Sequence, residues 1–583
     1  MSYQIIAAEK VAQRNSKIPK DWLIFPQPFN DGTSLLQVPI TCGVLSEVEC
    51  EITSNYDATA LLAKLRAGGF SAEQVTIAFC KRAAIAQQLV NCLTEVFFDE
   101  AIKRARQLDT ERRESDSNTE VSFSPLPPLW GLPISLKDSF AYLGQDTSTG
   151  LACYVNEPAT EHSALAALLL DLGAVLYCKT NLPQSIMTGD SDNNVFGRTL
   201  NPRNPCGLTA GGSTGGEGAL LALRGSVLGV GTDIGGSIRV PSVCNGLYGL
   251  RPSVGVVPHG GVRDLTVPGT AGIMSSAGPM ATSMRDISLF LQTIMQAETW
   301  KYDSTALAIP WSNHTKMDKK RLRIGLVEDD GLYTPSPPVR RGLKKAAGLL
   351  QAMGNIELVP IALPNVRQIY RDLLSYYMLS GSDYYLEQFG RTGEPLVPSL
   401  EALIPLLAQP RTTLKGFFDL NVRRTEAAKM YLSLFRDNNL DVILMPPAPH
   451  TAVPLDTWST ITYTGLWNYL DYPAVVVPVD QVREEDVADD LSNAKFGAED
   501  ARYLDIFHSL PLSLLFFSAY AQPYIFNNIK SLNHSTNTLR ITSDTGPGEY
   551  RDAPICVQLV GYRHKDEALA SMAAVLDGII NGI

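Results

Sequence analysis

The chain has 583 residues, 45% hydrophobic and 19% charged, with 49 basic against 60 acidic side chains and a formal net charge of −11. This composition predicts a soluble globular protein with a large core. The acidic balance excludes the electrostatic footprint of a nucleic-acid binder or of a protein drawn to anionic membranes. Nine cysteines stand at 42, 50, 80, 92, 153, 178, 206, 244 and 556. No CxxC pair is among them, so zinc and redox motifs lack support and reduced, mostly buried thiols are expected.

In chain order, MSYQIIAAEKVAQRNSKIP has no apolar run of signal-peptide length. GIINGI at the far end carries no prenylation, ER-retention or peroxisomal signature, so a cytoplasmic location is expected. Prolines at 19, 26, 28 and 39 make residues 1–43 read as irregular, and 1–53 as an N-terminal arm preceding a single domain, 54–583. DATALLAKLRAGG (57–69) and SAEQVTIAFCKRAAIAQQL (71–89) read as amphipathic helices, the first stopped by Gly68-Gly69 and the second capped by Ser71. DEAIKRARQLD (99–109) has the same pattern, and the Ser/Pro-rich 111–128 reads as a surface loop. Leu132–Leu136 reads as a buried strand ending in Lys137-Asp138, and HSALAALLLDLGAVLYCKTNLP (162–183) as a helix, a Gly173 stop and a strand. Strand patterns recur at SVLGVGTDI (226–234), RLRIGLVED (321–329), LDVILMPPAP (440–449) and VVVPV (475–479) among further helices. Such alternation predicts an α/β fold with mixed or parallel strands. Residues 481–550 change character, from acidic through an apolar stretch (508–526) to Ser/Thr/Asn-rich. Pro511, Pro523 and Gln522 interrupt that stretch and argue against a spanning helix.

The chemistry concentrates in TAGGSTGGEGALLALRGSVLGVGTDIGGSIRVP (209–241), where ten of thirty-three residues are glycine. Gly231 and Gly236 have P-loop spacing, but Ser237 stands where the phosphate-binding lysine belongs. A linker is excluded by core-forming Leu220, Leu221, Leu223, Val227, Leu228 and Val230. The remaining reading is a tight Gly turn at 233–237 that aims backbone N–H groups at an oxyanion, with serine at its edge as nucleophile. A serine hydroxyl needs a base. Of seven histidines, only His450 stands at a strand end, where a turn histidine is the ordinary reading. Lys137, first charged residue after an apolar strand, suits the role if burial lowers its pKa. Pairing with neighbouring Asp138 is its plainer alternative.

GLPISLKD (131–138), succeeded some eighty residues on by GGSTGGEGALLALRGSVLGVGTDIGGSIRVP, resembles the amidase signature family. FCKRAAIAQQLVNC (79–92), GRTLNPRN (197–204), YGLRPS (248–253) and WKYDS (300–304) resemble its fungal acetamidase branch. The resemblance covers about residues 44–480 and 549–583. It implies a large mixed β-sheet surrounded by α-helices and an amidase that works through an acyl-enzyme. Ser237 matches the nucleophile, Ser213 the serine held by a cis peptide bond, and Lys137 the terminal base. The amides of Ile234, Gly235, Gly236 and Ser237 match the oxyanion hole; Asp233 and Arg239 match structural supports.

The same resemblance implies no metal or organic cofactor and a small-molecule amide as partner, favouring acetamide-like substrates. A homodimer is left open, and neither nucleic acid nor membrane is expected. Alternatives are a specialised or long-chain amide substrate, a glutaminase-type amidotransferase subunit, and an inactive scaffold. Acyl-pocket residues are expected from 142–150, 186–192, 370–390 and 450–470. Thr214 replaces the family's usual serine, and its extra methyl is expected to narrow the site. Much of 481–548 departs from the family pattern as an atypical insertion. Within it, 505–543 reads as an added surface loop or a translated intron; its lack of either period favours the latter.

Overall fold

The computed structural model describes residues 2–25, 33–117, 125–312, 321–407, 410–506 and 550–582. Eleven strands among them form one sheet. They are β1 (Leu93–Val96), β2 (Pro133–Lys137), β3 (Val175–Thr180), β4 (Leu228–Asp233), β5 (Tyr248–Arg251) and β6 (Ser276–Ala281). β7 (Leu322–Leu326), β8 (Ile356–Pro360), β9 (Val442–Met445), β10 (Ala474–Gln481) and β11 (Pro554–Val560) complete it. The order is β1-β3-β2-β4-β6-β5-β10-β11-β9-β7-β8. β2 lies parallel to β3 and β4, and β7 parallel to β8 and β9, while the pairs through β6, β5, β10 and β11 are antiparallel. This is the mixed sheet expected. β2, β3, β4 and β6 are buried along their whole length, which explains why the first three read as strands from their apolar residues.

The helices form where their caps predict. Ser71 and Gln74 complete a capping box at the start of Ala72–Val90, and Asp57 caps Ala58–Arg66 through the Ala60 amide. Two expectations are corrected. Residues 3–16 form a regular helix rather than an irregular arm; AAEKVAQR carries good helix formers, and the prolines begin only after it. That helix straps β1, because buried Lys10 pairs with Glu95 at 2.5 Å and Asp146 at 2.7 Å, while Arg14 donates to the Leu93 carbonyl. The helix begun at Phe98 also runs on to Ser117, beyond the expected loop start. Arg112 in it donates to the carbonyls of Leu65 and Arg66 and lies over the Trp130 ring.

Within the atypical block, 481–506 is tied to the body. Arg341 pairs with Asp480 and Asp486, Arg340 with Asp489, and buried Asp500 accepts from the Thr334 amide and hydroxyl. The segment expected to be an insertion or intron lies almost entirely outside the described residues, as does the apolar stretch 508–526. Among the described residues no helix is long and apolar enough to cross a membrane. All nine cysteines are free thiols, six of them buried.

β2 and β4 bring the chemically important residues together. Their register, Ser135 opposite Gly229 and Leu136 opposite Val230, carries Lys137 and Asp233 to the same end of two adjacent parallel strands. The helix Gly215–Ala222 presses against this pair and against the loop after β3. A Cβ at Gly216 would collide with the Asn181 backbone and lie 2.6 Å from the Cys92 carbonyl oxygen. Gly216→Ala should therefore destabilise the protein by about 1–3 kcal/mol, read as a lowered midpoint in thermal unfolding. Gly348→Ala, at an exposed helix position with nothing within 4 Å, should instead raise stability by up to about 1 kcal/mol.

Candidate active site

Lys137 ends β2 with its side chain fully buried. Its Nζ lies 2.7 Å from Ser213 Oγ and 2.8 Å from Thr232 Oγ1, and no described carboxylate pairs with it. Strand geometry explains why neighbouring Asp138 is not the partner, since successive side chains point to opposite faces. Asp138 instead accepts from Thr94, Ser148 and the Thr149 amide, with Lys179 at 3.7 Å. Burial pulls the Lys137 amine down to about 7, against the opposing pull of the carboxylates of Asp264, Asp233 and Asp138.

Ser213 is buried beside this amine, and its peptide bond to Gly212 is cis. Gly212 has no room for a side chain, because a Cβ there would strike the Thr188 carbonyl oxygen. Ser191 Oγ donates to the Gly211 carbonyl and accepts from the Gly215 amide, bracketing the segment. The Thr214 amide donates to the Ser237 carbonyl at 3.2 Å, which stitches the two serine segments together. The Thr214 methyl packs toward Gly231 of β4 and not into the cavity. The expected narrowing of the site by this methyl is therefore corrected: it is spent inside the fold.

The turn 233–237 is held from several sides. Asp233 Oδ1 accepts from the Gly236 amide at 2.8 Å, from Arg239 at 3.0 Å and from Asn468 at 2.9 Å; Oδ2 accepts from the Ile238 amide and Arg239 Nε. The adjacent Arg239 guanidinium, with these donors, holds the carboxyl down at about 2 despite its burial. Tyr377 donates to the Ile234 carbonyl at 2.6 Å, and Thr464 to the Gly235 carbonyl at 2.6 Å. A planar trans peptide points its N–H opposite to its C=O, so the Tyr377 bond aims the Gly235 amide the other way. Among the described residues, no acceptor takes the amides of Ile234, Gly235 and Ser237, whereas the Gly236 amide is committed to Asp233. Of the four amides named from the sequence, three are free to point at a bound anion.

Gly212, Ser213, Thr232, Ile234, Gly235, Gly236 and Ser237 line one cavity of about 210 Å³. Ser237 is half-buried there, its hydroxyl without an intramolecular partner among the described residues. The cavity walls include Ile186–Gly189, Tyr376–Met378, Tyr385 and Ile461, as the expected 186–192, 370–390 and 450–470 segments supply them. The 142–150 loop does not line it. That loop is consumed in structure, Asp146 by Lys10 and the Asn156 amide, and Thr149 by Asp138. In its place the loop 264–275 and Leu403 and Leu406 close the cavity. His450 is not in it; buried against Trp458 and Tyr503, its imidazole is pushed down to about 4. Sequence reasoning misses Thr232, Tyr377, Thr464 and Asn468. Only Thr232, next to Asp233 at the strand end facing Lys137, carries a local signal. No group of three or more potential metal ligands occurs among the described residues.

Comparison with known proteins agrees with this architecture. The Amidase family profile matches residues 74–570. The chain is 36% identical over 535 residues to an acetamidase of Aspergillus oryzae, covering 88% of this chain and 95% of that protein. It is 38% identical over 494 residues to an amidase of Gibberella moniliformis, covering 82% and 90% respectively. Among solved structures, fatty acid amide hydrolase superposes with a TM-score of 0.84 at 28% identity, over 99% of this chain and 95% of that one. The sheet, the serine-bearing segments and these relatives place the chain in the amidase signature family, as an enzyme that hydrolyses amide C–N bonds.

Proposed function

We propose that the chain hydrolyses a small-molecule carboxylic amide through a Ser237–Ser213–Lys137 relay and an acyl-enzyme. The observation that carries this reading is the 2.7 Å approach of Lys137 Nζ to Ser213 Oγ, with Ser213 and Ser237 on one cavity wall. Neutral Lys137 takes the Ser213 proton as Ser213 takes that of Ser237, and Ser237 Oγ attacks the amide carbon. The oxyanion forms in front of the amides of Ile234, Gly235 and Ser237, which need no reorganisation to receive it. Collapse breaks the C–N bond as the relay returns the proton to the leaving nitrogen, releasing ammonia or an amine. Water then attacks the Ser237 ester by the same relay, and the carboxylic acid leaves.

Lys137 is suited to this work because its amine sits near the pH at which a base is half-occupied. Hydroxyls solvate it without fixing its charge, as a carboxylate would. Asp233 and Arg239 do not enter the reaction; they shape the turn that presents Ser237.

Ser237→Ala should lower kcat/KM by about 10⁴-fold or more in an ammonia-release assay. Mass spectrometry should show a fluorophosphonate adduct on Ser237 of the wild type; turnover near wild type in the variant would refute the nucleophile. The wild-type kcat/KM should rise with pH through about 7 and then level off, tracking deprotonation of Lys137. Lys137→Ala should lose that rise along with most activity.

Stability supplies an independent reading of the same amine. Its folded pKa lies below the unfolded value, so between about 7 and 10.5 the unfolded chain binds the extra proton. Wild-type stability from this group is therefore lowest below pH 7 and recovers as pH rises. Lys137→Met should be more stable than wild type at pH 7, by on the order of 1–4 kcal/mol. The gap should close toward pH 10, as thermal unfolding at both pH values would show.

A further inference from the structure

The cavity before Ser237 is walled mainly by apolar side chains, among them Met187, Leu265, Ile273, Tyr377 and Ile461. One charged side chain lines it, that of Asp264. No described residue donates a hydrogen bond to the Asp264 carboxylate. The imidazole of His259 approaches it, Nε2 at 3.8 Å, and the side chain keeps a third of its surface open.

The backbone on either side leaves Asp264 little choice of position. Arg263 is fixed by its amide on the Ser139 carbonyl, by Nη1 on the Thr147 carbonyl and by stacking on the Tyr154 ring. Leu265 is buried in a cluster with Leu151, Met378 and Tyr385. Between these anchors the carboxylate is delivered to an apolar wall. There, partial loss of water penalises an unpaired charge. The other two carboxylates near the site are satisfied, Asp233 by Arg239 and Asn468, Asp138 by hydroxyls and an amide. Asp264 stands apart, facing the space a substrate would occupy.

We propose that Asp264 is a specificity-determining residue that selects amides bearing a protonated amine, whose hydrocarbon body fills the apolar cavity. This rests on the amidase reading of the same cavity and deepens it. The ammonium group of the substrate completes the Asp264 pair, and the apolar walls take the chain between ammonium and scissile amide. The same carboxylate repels amides that carry a free carboxylate, which separates this site from one built for acidic amides.

The test uses three series of matched length, from propanamide to octanamide: plain alkyl amides, ω-amino amides and ω-carboxy amides. Rates are compared on the pH plateau above the Lys137 midpoint, with fluorophosphonate labelling of Ser237 run in parallel. At the best length the ω-amino amide should exceed the alkyl amide in kcat/KM by about tenfold, and the ω-carboxy amide should be poorest. The preference should shrink as salt is added. In Asp264→Asn the ω-amino to alkyl ratio should fall close to one, whatever the absolute rates. Equal wild-type rates for the ω-amino and alkyl series at every length would overturn the assignment, as would a preference that survives in Asp264→Asn. If Ser237 is labelled while discrimination is absent, the Asp264 role falls and the amidase reading stands. If Ser237 is unlabelled and no amide is turned over, both fall.

Discussion

The site depends first on one buried carboxylate. Asp233 ends β4 and gathers five donors at normal hydrogen-bond distance: two amides of its own turn, two guanidinium nitrogens of Arg239 and the Asn468 amide. Gly235 and Gly236 impose no conformation of their own, so the path of the turn is set by Asp233 together with Tyr377 on the Ile234 carbonyl and Thr464 on the Gly235 carbonyl. With these bonds in place, the amides of Ile234, Gly235 and Ser237 are left without an acceptor among the described residues. Arg239 extends the constraint further, donating to the Thr464 carbonyl and to the Asn468 side chain. The helix Thr462–Leu470 is thereby tied to the turn that carries Ser237. A buried ion pair is a weak source of stability; here its value lies in specifying a shape.

The second constraint is a separation of charges that the strand period performs. Lys137 and Asp138 are adjacent in sequence yet point to opposite faces at the end of β2. One is surrounded by hydroxyls and the other by hydroxyls, an amide and Lys179. Had they shared a face, the carboxylate would have favoured the charged form of the amine. A single-residue slip in the register of β2 would exchange them. The pairing of Ser135 with Gly229 and Leu136 with Val230 thus decides which of the two groups faces Ser213 and Thr232.

The same physics decides how much of the molecule is legible in its sequence. Ser213, Ser237 and Lys137 are readable because they lie in dense local patterns: glycines around each serine, an apolar strand before the lysine. The caps at Ser71 and Asp57 are readable because a cap is decided within four residues. Residues 3–16 read as an arm because the prolines outside them outweigh the helix formers inside. Tyr377, Thr464 and Asn468 give no signal, since each acts through a contact more than a hundred residues away in sequence. The loop 264–275 escapes for a related reason. Only the folded path of Arg263 and Leu265 turns it into a wall. Of the four amides named from the sequence, that of Gly236 donates to Asp233, and a count of glycine amides cannot tell which of them the turn itself takes up.

The cavity wall and Lys137 are coupled through a single quantity, the exclusion of water. Lys137 lies behind Ser213 and Thr232, so the apolar surface in front of those two hydroxyls also keeps solvent from the amine. The same surface makes the isolated Asp264 carboxylate costly to leave unpaired. A change that wets the wall, such as a polar residue in place of Ile461 or Met187, would let the Lys137 amine climb back toward its ordinary value. It would also weaken any attraction between Asp264 and a cation in the cavity, because both effects scale with the local dielectric. Under the proposed roles of Lys137 and Asp264, reactivity and selectivity cannot be tuned independently in this arrangement. An apolar wall that accommodates a larger hydrocarbon body is, by the same contacts, a wall that keeps water from Lys137 and so favours its neutral form.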